Sequence, residues 1–208
     1  MQHGGVALSA HKAAIEGDFM IFALFGRKKR LENQRIVASL YETLTSAARQ
    51  PALYEAMDVP DTVMGRFEML AAHVILFLRR TAAGDTAVQA LGQEIVDEFF
   101  LDIDHSIREL GIGDMSVPKK MKKLGRMFYG RMRAYAEALS TGDDGAMADA
   151  LRRNIHPNGE VTTDGMRLCA VYLAEADRRL ALLDDAAIAR GEISFPVPEA
   201  AARAGEPA

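Results

Sequence analysis

The chain has 208 residues, of which 49% are hydrophobic and 26% charged, a composition typical of a folded globular protein. The 25 basic and 29 acidic residues give a net charge of −4, so the total charge does not indicate nucleic-acid binding, and we expect no DNA partner. The single cysteine, Cys169, excludes an internal disulfide and a zinc site built from several cysteines, and it favours a reducing compartment.

No segment of the sequence has the pattern of a transmembrane helix or a signal peptide. The longest apolar stretch, residues 69–78, is shorter than the roughly 20 residues that a membrane span requires. Residues 20–25 are apolar, but the four cations at 27–30 follow them, whereas a signal peptide has its cations first. We therefore expect a cytoplasmic protein, with peripheral attachment to the inner membrane left open.

Apolar residues recur at steps of three and four, which predicts an all-α fold, a single-domain multi-helix bundle. Proline, glycine and capping residues separate predicted helices at about 31–49, 62–82, 85–109, 117–139, 143–154 and 163–189. We assign residues 31–190 to the helical domain and residues 1–30 to an N-terminal tail. Residues 191–208, which contain Pro196 and Pro198, are expected to form a loosely ordered tail.

Residues 20–30 allow two interpretations. Six apolar residues followed by four cations after Gly26 are typical of a segment that lies on an anionic membrane surface. So short an apolar patch gives only marginal membrane affinity, and its side chains are equally suited to packing back on the bundle. Both interpretations stay open at the sequence level.

The predicted helix 117–139 has two chemically different faces. At 100° per residue one stripe contains only apolar residues and predicts the buried face, namely Val117, Met121, Leu124, Phe128, Met132, Tyr135 and Leu139. The opposite face carries the cations Lys119, Lys122, Lys123, Arg126 and Arg133, with Lys120 and Arg131 on one flank. Gly130 lies within this basic face, where glycine costs about 1 kcal/mol relative to alanine, so we expect a close approach there.

The cations of this helix have two candidate partners. The preceding helix contains many acids, so ion pairs between the two helices would neutralise the face inside the protein; these acids are Glu94, Asp97, Glu98, Asp102, Asp104, Glu109 and Asp114. Alternatively, the face binds something anionic, such as rRNA or lipid phosphate, in a salt-dependent manner. The two interpretations are compatible.

The sequence contains no pattern of catalytic or metal-binding residues. Asp102 and His105 share a helix face, but a di-iron bundle requires two Glu-x-x-His pairs and further glutamates, which are absent. Cys169 lies in an apolar helical run, the setting of an inert core thiol. No P-loop, dinucleotide-binding or nucleophile-elbow motif occurs. We expect no cofactor, no metal and no catalysis; a helical-bundle oxidoreductase is the enzymatic alternative.

Two long motifs resemble those of the ubiquinol–cytochrome c chaperone family. The first, Asp-x-x-Ile-Arg-Glu-x-Gly-x-Gly-Asp, spans residues 104–114 and follows Asp102; the second, Phe-Tyr-Gly-Arg, spans residues 128–131 and precedes Tyr135. The resemblance covers roughly residues 30–185. The residues that carry it and are of most interest are Asp102, Arg108, Glu109, Gly111, Gly113, Asp114, Phe128, Tyr129, Gly130, Arg131 and Tyr135.

The resemblance implies a non-catalytic chaperone for assembly of the cytochrome bc1 complex, respiratory complex III. Its client would be newly made cytochrome b or another bc1 subunit, received near the ribosomal tunnel exit, and mitochondrial members of the family act with a small partner protein. The basic face is where we expect ribosome or lipid contact. The alternative is a peripheral helical module that binds rRNA or anionic lipid and has no dedicated client.

Two structural expectations accompany this interpretation. We expect Asp102, Arg108, Glu109 and Asp114 to form a polar network that fixes the turn between two helices. The 11 methionines are consistent with an apolar groove that shields client helices, because methionine adapts to varied apolar partners. Ordinary core packing explains the methionines equally well, and the groove requires solvent-exposed methionine in the folded protein.

Overall fold

The computed structural model describes residues 31–111, 113–159 and 163–198, and the prediction of an all-α helical bundle is confirmed. No strand occurs in these three ranges. The elements in chain order are α1 (residues 31–48), α2 (Pro51–Glu55), α3 (Val63–Ala82), α4 (Thr86–Glu109), a 3₁₀ turn (Asp114–Ser116), α5 (Val117–Thr141), α6 (Asp144–Ile155), α7 (Thr163–Ala181) and α8 (Asp185–Ala189). The segment 20–30 lies outside the described residues.

Capping residues set most of the helix ends close to the predicted positions. The Thr62 hydroxyl accepts a hydrogen bond from the Gly65 amide at 3.1 Å, at the start of α3. The carboxylates of Asp85 and Asp143 cap α4 and α6 in the same way. Gly142 ends α5 with φ of 65°, a left-handed conformation that glycine adopts without a Cβ penalty.

The last predicted helix, 163–189, is wrong as a single element. The chain leaves the helix after Ala181 and starts again at Asp185, because the Asp184 side chain accepts from the Ala187 amide at 2.7 Å and caps α8. The Arg80 guanidinium donates to the Leu183 carbonyl at 2.7 Å and thereby satisfies a backbone group of the turn. The short helix α2, which begins at Pro51, was also not predicted.

The segment after Gly191 is packed as far as the structure describes it. The Phe195 ring meets the His73 ring edge-on at 5.0 Å, and Pro196 and Pro198 are buried. The expectation of a loosely ordered tail at 191–208 stays a prediction: residues 192–198 include these packed side chains, and residues 199–208 lie outside the described residues. The two prolines remove backbone donors that would otherwise need partners at this buried position.

Helix α3 forms the centre of the bundle. It packs against α4, α5 and α7, and its side chains from Phe67 to Phe77 are all buried. In the part of the chain that the structure describes, no helix is both long enough and apolar enough to cross a bilayer.

Buried polar contacts tie the neighbouring helices to α3 and α4. His73 Nδ1 donates to the Met69 carbonyl at 2.7 Å, so Nε2 accepts from the Tyr172 hydroxyl of α7 at 2.8 Å. Burial lowers the pKa of His73 to about 4, which keeps the ring neutral. Helix α1 is fixed to α4 by the Tyr41 hydroxyl, which donates to Asp102 Oδ2 at 2.8 Å.

Candidate partner-binding surfaces

The core-facing stripe of α5 is confirmed. Val117, Phe128 and Tyr135 are buried, and the other four members of the predicted stripe pack partly buried against the core. The opposite face of α5 is consequently turned outward over the length of the helix.

The five cations of the outward face are all solvent-exposed, and none forms an ion pair with a described acid. The acids of α4 have other partners: Asn33 donates to Glu94 at 2.7 Å, and Arg108 donates to Asp104 at 2.7 Å. Among the described residues, the acids of α4 and the cations of α5 therefore form no ion pairs with each other. The exposed cations in question are Lys119, Lys122, Lys123, Arg126 and Arg133.

Gly130 lies in the middle of this face. Apart from its chain neighbours and the nearby backbone of its own helix, no atom of the described chain comes within 4 Å of the position that a Cβ would occupy at Gly130. The expected close approach is thus not made by any described residue. Its neighbour Tyr129 is 55% exposed, so the same part of the helix also presents an aromatic ring.

Arg131 differs from the other cations because it is buried. Its Nε and Nη2 donate to the two carboxylate oxygens of Glu68 in α3, and its Nη1 donates to the Met127 carbonyl at 3.0 Å. Burial raises the pKa of the Glu68 carboxyl, and the Arg131 guanidinium opposes that shift. The pair locks the rotation of α5 about its own axis, which fixes the direction of the exposed face.

Sequence reasoning placed Arg131 on the flank of the helix but missed its partner. The available signal was Glu68 itself, an acid between Phe67 and Met69 in the middle of a strongly apolar helix. A charged residue in such a run requires a buried partner of opposite charge.

An aromatic cluster joins the buried face of α5 to α4. The Phe128 ring lies 5.1 Å from Phe99 and 5.5 Å from Phe100, both in α4. The Tyr135 side chain is buried as well. These positions give Phe128 and Tyr135 a packing role.

The described contacts cover only part of the polar network predicted at the turn between α4 and α5, so the network stays a prediction. Asp102 accepts a hydrogen bond from Tyr41 of α1 and lies about two helical turns before the end of α4. Glu109, the last residue of α4, is exposed and lies on the wall of a cleft. Arg108 pairs with Asp104 in its own helix. Gly111 has φ of 72° and ends the helix, whereas Gly113 has ordinary backbone geometry. The Asp114 side chain lies outside the description.

An open apolar cleft of about 360 Å³ lies beside this turn, between the end of α1, the start of α3 and the end of α4. Its floor consists of apolar side chains, including Phe67, Leu70, Phe99, Ile103 and Ile107. Val63, Met64 and Leu110 on its rim are 60%, 44% and 58% exposed. Met64 is thus solvent-exposed, as the expected groove requires, whereas most of the other methionines among the described residues are buried or pack against the core.

The cleft and the basic face are at the same end of α5. Leu124 of α5 contributes to the cleft wall, while Lys122, Lys123 and Arg126 on the same two turns face outward. The charged residues that line the cleft are Arg49, Arg66, Asp102 and Glu109.

Cys169 lies in the core, as the sequence predicted. It is fully buried in α7, and burial raises the pKa of its thiol to about 12. The thiolate form is therefore not accessible at neutral pH, and the sulfur serves as a small apolar group.

Comparison with known proteins identifies the family. The family model described as ubiquinol-cytochrome C chaperone matches residues 55–195, which is more than half of the chain. The chain belongs to this family. A solved structure of a Cbp3 homolog from Brucella abortus is 47% identical, with a TM-score of 0.78 over 86% of this chain and 98% of that chain. Comparison with curated proteins gave no match.

The span matched by the ubiquinol–cytochrome c chaperone family includes both surfaces. It contains α3, α4 and α5, which provide most of the cleft wall and the whole basic face. It also reaches Phe195, the residue that packs on His73. Thr45 and Ala48 of α1 and the following Arg49, which also line the cleft, lie outside the match.

Proposed function

We propose that this protein is a non-catalytic chaperone for assembly of the cytochrome bc1 complex, respiratory complex III, and that it binds newly made cytochrome b. Family membership supports the assembly role. The observation that carries the client assignment is the open apolar cleft, because a membrane subunit presents apolar helices that need cover before assembly. The motif residues Tyr129 and Gly130 belong to the exposed face of α5, which we assign to partner contact.

The shape and chemistry of the cleft fit an apolar helix. The floor is apolar and continuous with the core, and the exposed Val63 and Met64 provide further apolar contact at the rim. Binding of a helix in such a groove relies on burial of side chains spaced three and four residues apart. Arg49 and Glu109 at the rim suit the polar residues that flank a membrane helix.

We place the protein in the cytoplasm at the inner membrane. Its exposed cations on α5, Lys119, Lys122, Lys123, Arg126 and Arg133, suit an anionic partner such as the bilayer or the region of the ribosomal tunnel exit. The involvement of a small partner protein is a further element of this proposal, based only on the family resemblance.

Deletion of the gene tests the assembly role. We expect loss of cytochrome b absorbance in membrane difference spectra, and of the bc1 complex on haem-stained gels, with the cytochrome b transcript intact. Normal accumulation of both would overturn the proposal.

Complementation of the deletion strain then tests the cleft. The double variant Val63→Asp/Met64→Asp introduces two charges at the rim, and we expect it to restore little cytochrome b because a carboxylate is costly in an apolar contact. The matched control, Leu182→Asp/Val197→Asp, changes side chains of 79% and 59% exposure away from the cleft, and we expect full restoration. Equal restoration by both variants, each present at normal level, would exclude the cleft as the client site.

A second candidate function is a peripheral module that binds rRNA or anionic lipid and has no dedicated client. The observation that favours it is the set of unpaired cations on α5. It predicts normal cytochrome b in the deletion strain, so the same experiment separates the two functions.

A further inference from the structure

The first half of α5 and the turn before it combine exposed cations with exposed aliphatic side chains. We define the docking face as Lys119, Lys122, Lys123 and Arg126 of α5 together with Leu110 and Met115 of the turn. All six side chains are exposed. The four cations project to one side of the helix, opposite the buried Val117, because their positions are spaced by three, one and three residues.

The charge of α5 is concentrated and unneutralised. The helix has seven cations and one acid, Glu137, in a chain whose net charge is −4. Arg131 is neutralised by Glu68, but no described acid forms an ion pair with the cations of the docking face. The docking face is thus a basic surface on a protein whose net charge is negative.

The aliphatic side chains distinguish among anionic partners. Met115 in the 3₁₀ turn is 96% exposed, the highest value among the large apolar residues of the described chain, and Leu110 is 58% exposed. Single-stranded RNA is bound by cations interleaved with aromatic rings, whereas the hydrocarbon edge of a bilayer accepts aliphatic side chains. On the docking face the apolar groups are aliphatic, and Tyr129 lies one turn beyond it.

We propose that the docking face binds the surface of an anionic bilayer, with the lysines at lipid phosphates and Met115 inserted at the level of the acyl chains. This proposal rests on the partner role of α5 stated above and is independent of the identity of the client. Because Leu110 also lies on the cleft wall, docking in this way holds the cleft at the membrane surface.

Because the docking face and the cleft are rigidly connected, binding of the face to the membrane also orients the cleft. The Glu68–Arg131 pair fixes α5 on α3, and both helices contribute to the cleft wall. A membrane segment that emerges at the bilayer surface would therefore meet the cleft without crossing water.

Vesicle flotation with the purified full chain tests the proposal. The probes are vesicles of phosphatidylcholine alone and of phosphatidylcholine mixed with phosphatidylglycerol. We expect flotation with the anionic vesicles only, and we expect it to weaken as salt is raised. The absence of flotation with anionic vesicles at low salt would overturn the proposal.

Charge variants test the location of the site. The triple variant Lys119→Gln/Lys122→Gln/Lys123→Gln is expected to lose about a hundredfold in affinity, since each basic residue near an anionic surface contributes about fivefold. The matched control, Arg35→Gln/Arg153→Gln/Arg167→Gln, removes the same charge from exposed positions outside α5 and should bind about as well as the unmodified chain. Equal losses in both variants would show a general charge effect and overturn the assignment.

Substitution of Met115 distinguishes lipid binding from RNA binding. Met115→Ser is expected to weaken vesicle binding about tenfold and to remove the salt-resistant part of it, since burial of a methionine side chain contributes that much. Unchanged vesicle binding by this variant would overturn the inserted contact. Binding of an RNA oligomer that is lost in the lysine variant, together with retained vesicle binding, would assign the face to RNA instead. Neither result depends on cytochrome b, so failure here is distinguishable from failure of the chaperone assignment.

Discussion

The buried pair of Glu68 and Arg131 couples the core to the exposed face of α5. Both side chains are almost fully inaccessible, and all hydrogen-bonding nitrogens of the guanidinium face an acceptor in the same site. Removal of two charges from water is expensive, and the attraction between them offsets that cost only while both are present. We therefore infer that the pair contributes more to the orientation of α5 than to the stability of the fold.

This interpretation predicts a difference between single and double substitution. Glu68→Gln leaves the Arg131 charge buried without its counter-ion and should lower the free energy of unfolding by about 3 kcal/mol or more. Glu68→Leu/Arg131→Met removes both charges and should recover most of the loss. Urea unfolding of the three chains measures this. If the single and double variants are equally destabilised, the loss comes from packing and the electrostatic account is wrong.

At the scale of the helix, no contact among the described residues requires a glycine at the position of Gly130. It occupies the interior of α5 with ordinary helical geometry and no described neighbour at its Cβ position. Glycine in such a position destabilises a helix by about 1 kcal/mol relative to alanine. We therefore infer that the glycine serves a contact between α5 and a binding partner.

We accordingly expect Gly130→Ala to raise the free energy of unfolding by about 1 kcal/mol. Gly142→Ala is the matched control in the same helix, because φ of 65° at Gly142 disfavours a Cβ, and it should lower stability by about 1 kcal/mol. Thermal or urea unfolding gives both values. A destabilising Gly130→Ala would show that the glycine serves the fold.

Much of the helical arrangement could be predicted from the sequence because its boundaries are local. Thr62, Asp85 and Asp143 cap helices by accepting hydrogen bonds from amides two or three residues away. Such caps can be recognised from the sequence because both partners are close together in the chain. The break after Ala181 was missed because Leu182 and Leu183 continue the apolar pattern, and the turn is stabilised by Arg80, about a hundred residues earlier.

The candidate surfaces were predictable only in part. The cations of α5 followed from the helical period, but their lack of ion pairs depends on where the acids of α4 point. Asp102 binds Tyr41, 61 residues earlier in the chain, and Glu68 binds Arg131, 63 residues later. The cleft is built from four helices, so no local pattern indicates it.

At the scale of the whole molecule, the packing of α3 against α7 depends on a neutral imidazole. His73 is enclosed by Tyr172, Phe195 and the Met69 carbonyl, and no described acid lies against it that could stabilise a charged ring. The depressed pKa of about 4 compares with an ordinary value of about 6.5. In the interval between them the unfolded chain binds more protons than the folded one, so stability falls as the pH falls.

The pH dependence of unfolding tests this directly. Between about pH 7 and about pH 5, His73 should cost the fold about 2 kcal/mol of unfolding free energy. His73→Gln lacks the titrating ring, so its stability should be lower at neutral pH but should change less across the same interval. Urea unfolding at several pH values measures the slopes. Parallel slopes for the two chains would show that the ring is protonated inside the fold.

The separation of charge between α5 and the rest of the protein also determines how the molecule approaches a surface. Glu94 and Asp102 of α4 are held toward α1, whereas the cations of α5 face away from the core. Among the described residues, such an arrangement creates an electric dipole moment despite the negative total charge of the chain. Near an anionic bilayer, within the Debye length of about 8 Å, the field exerts a torque on that dipole. The protein would consequently be turned with α5 toward the lipid before first contact, although its net charge alone would repel it.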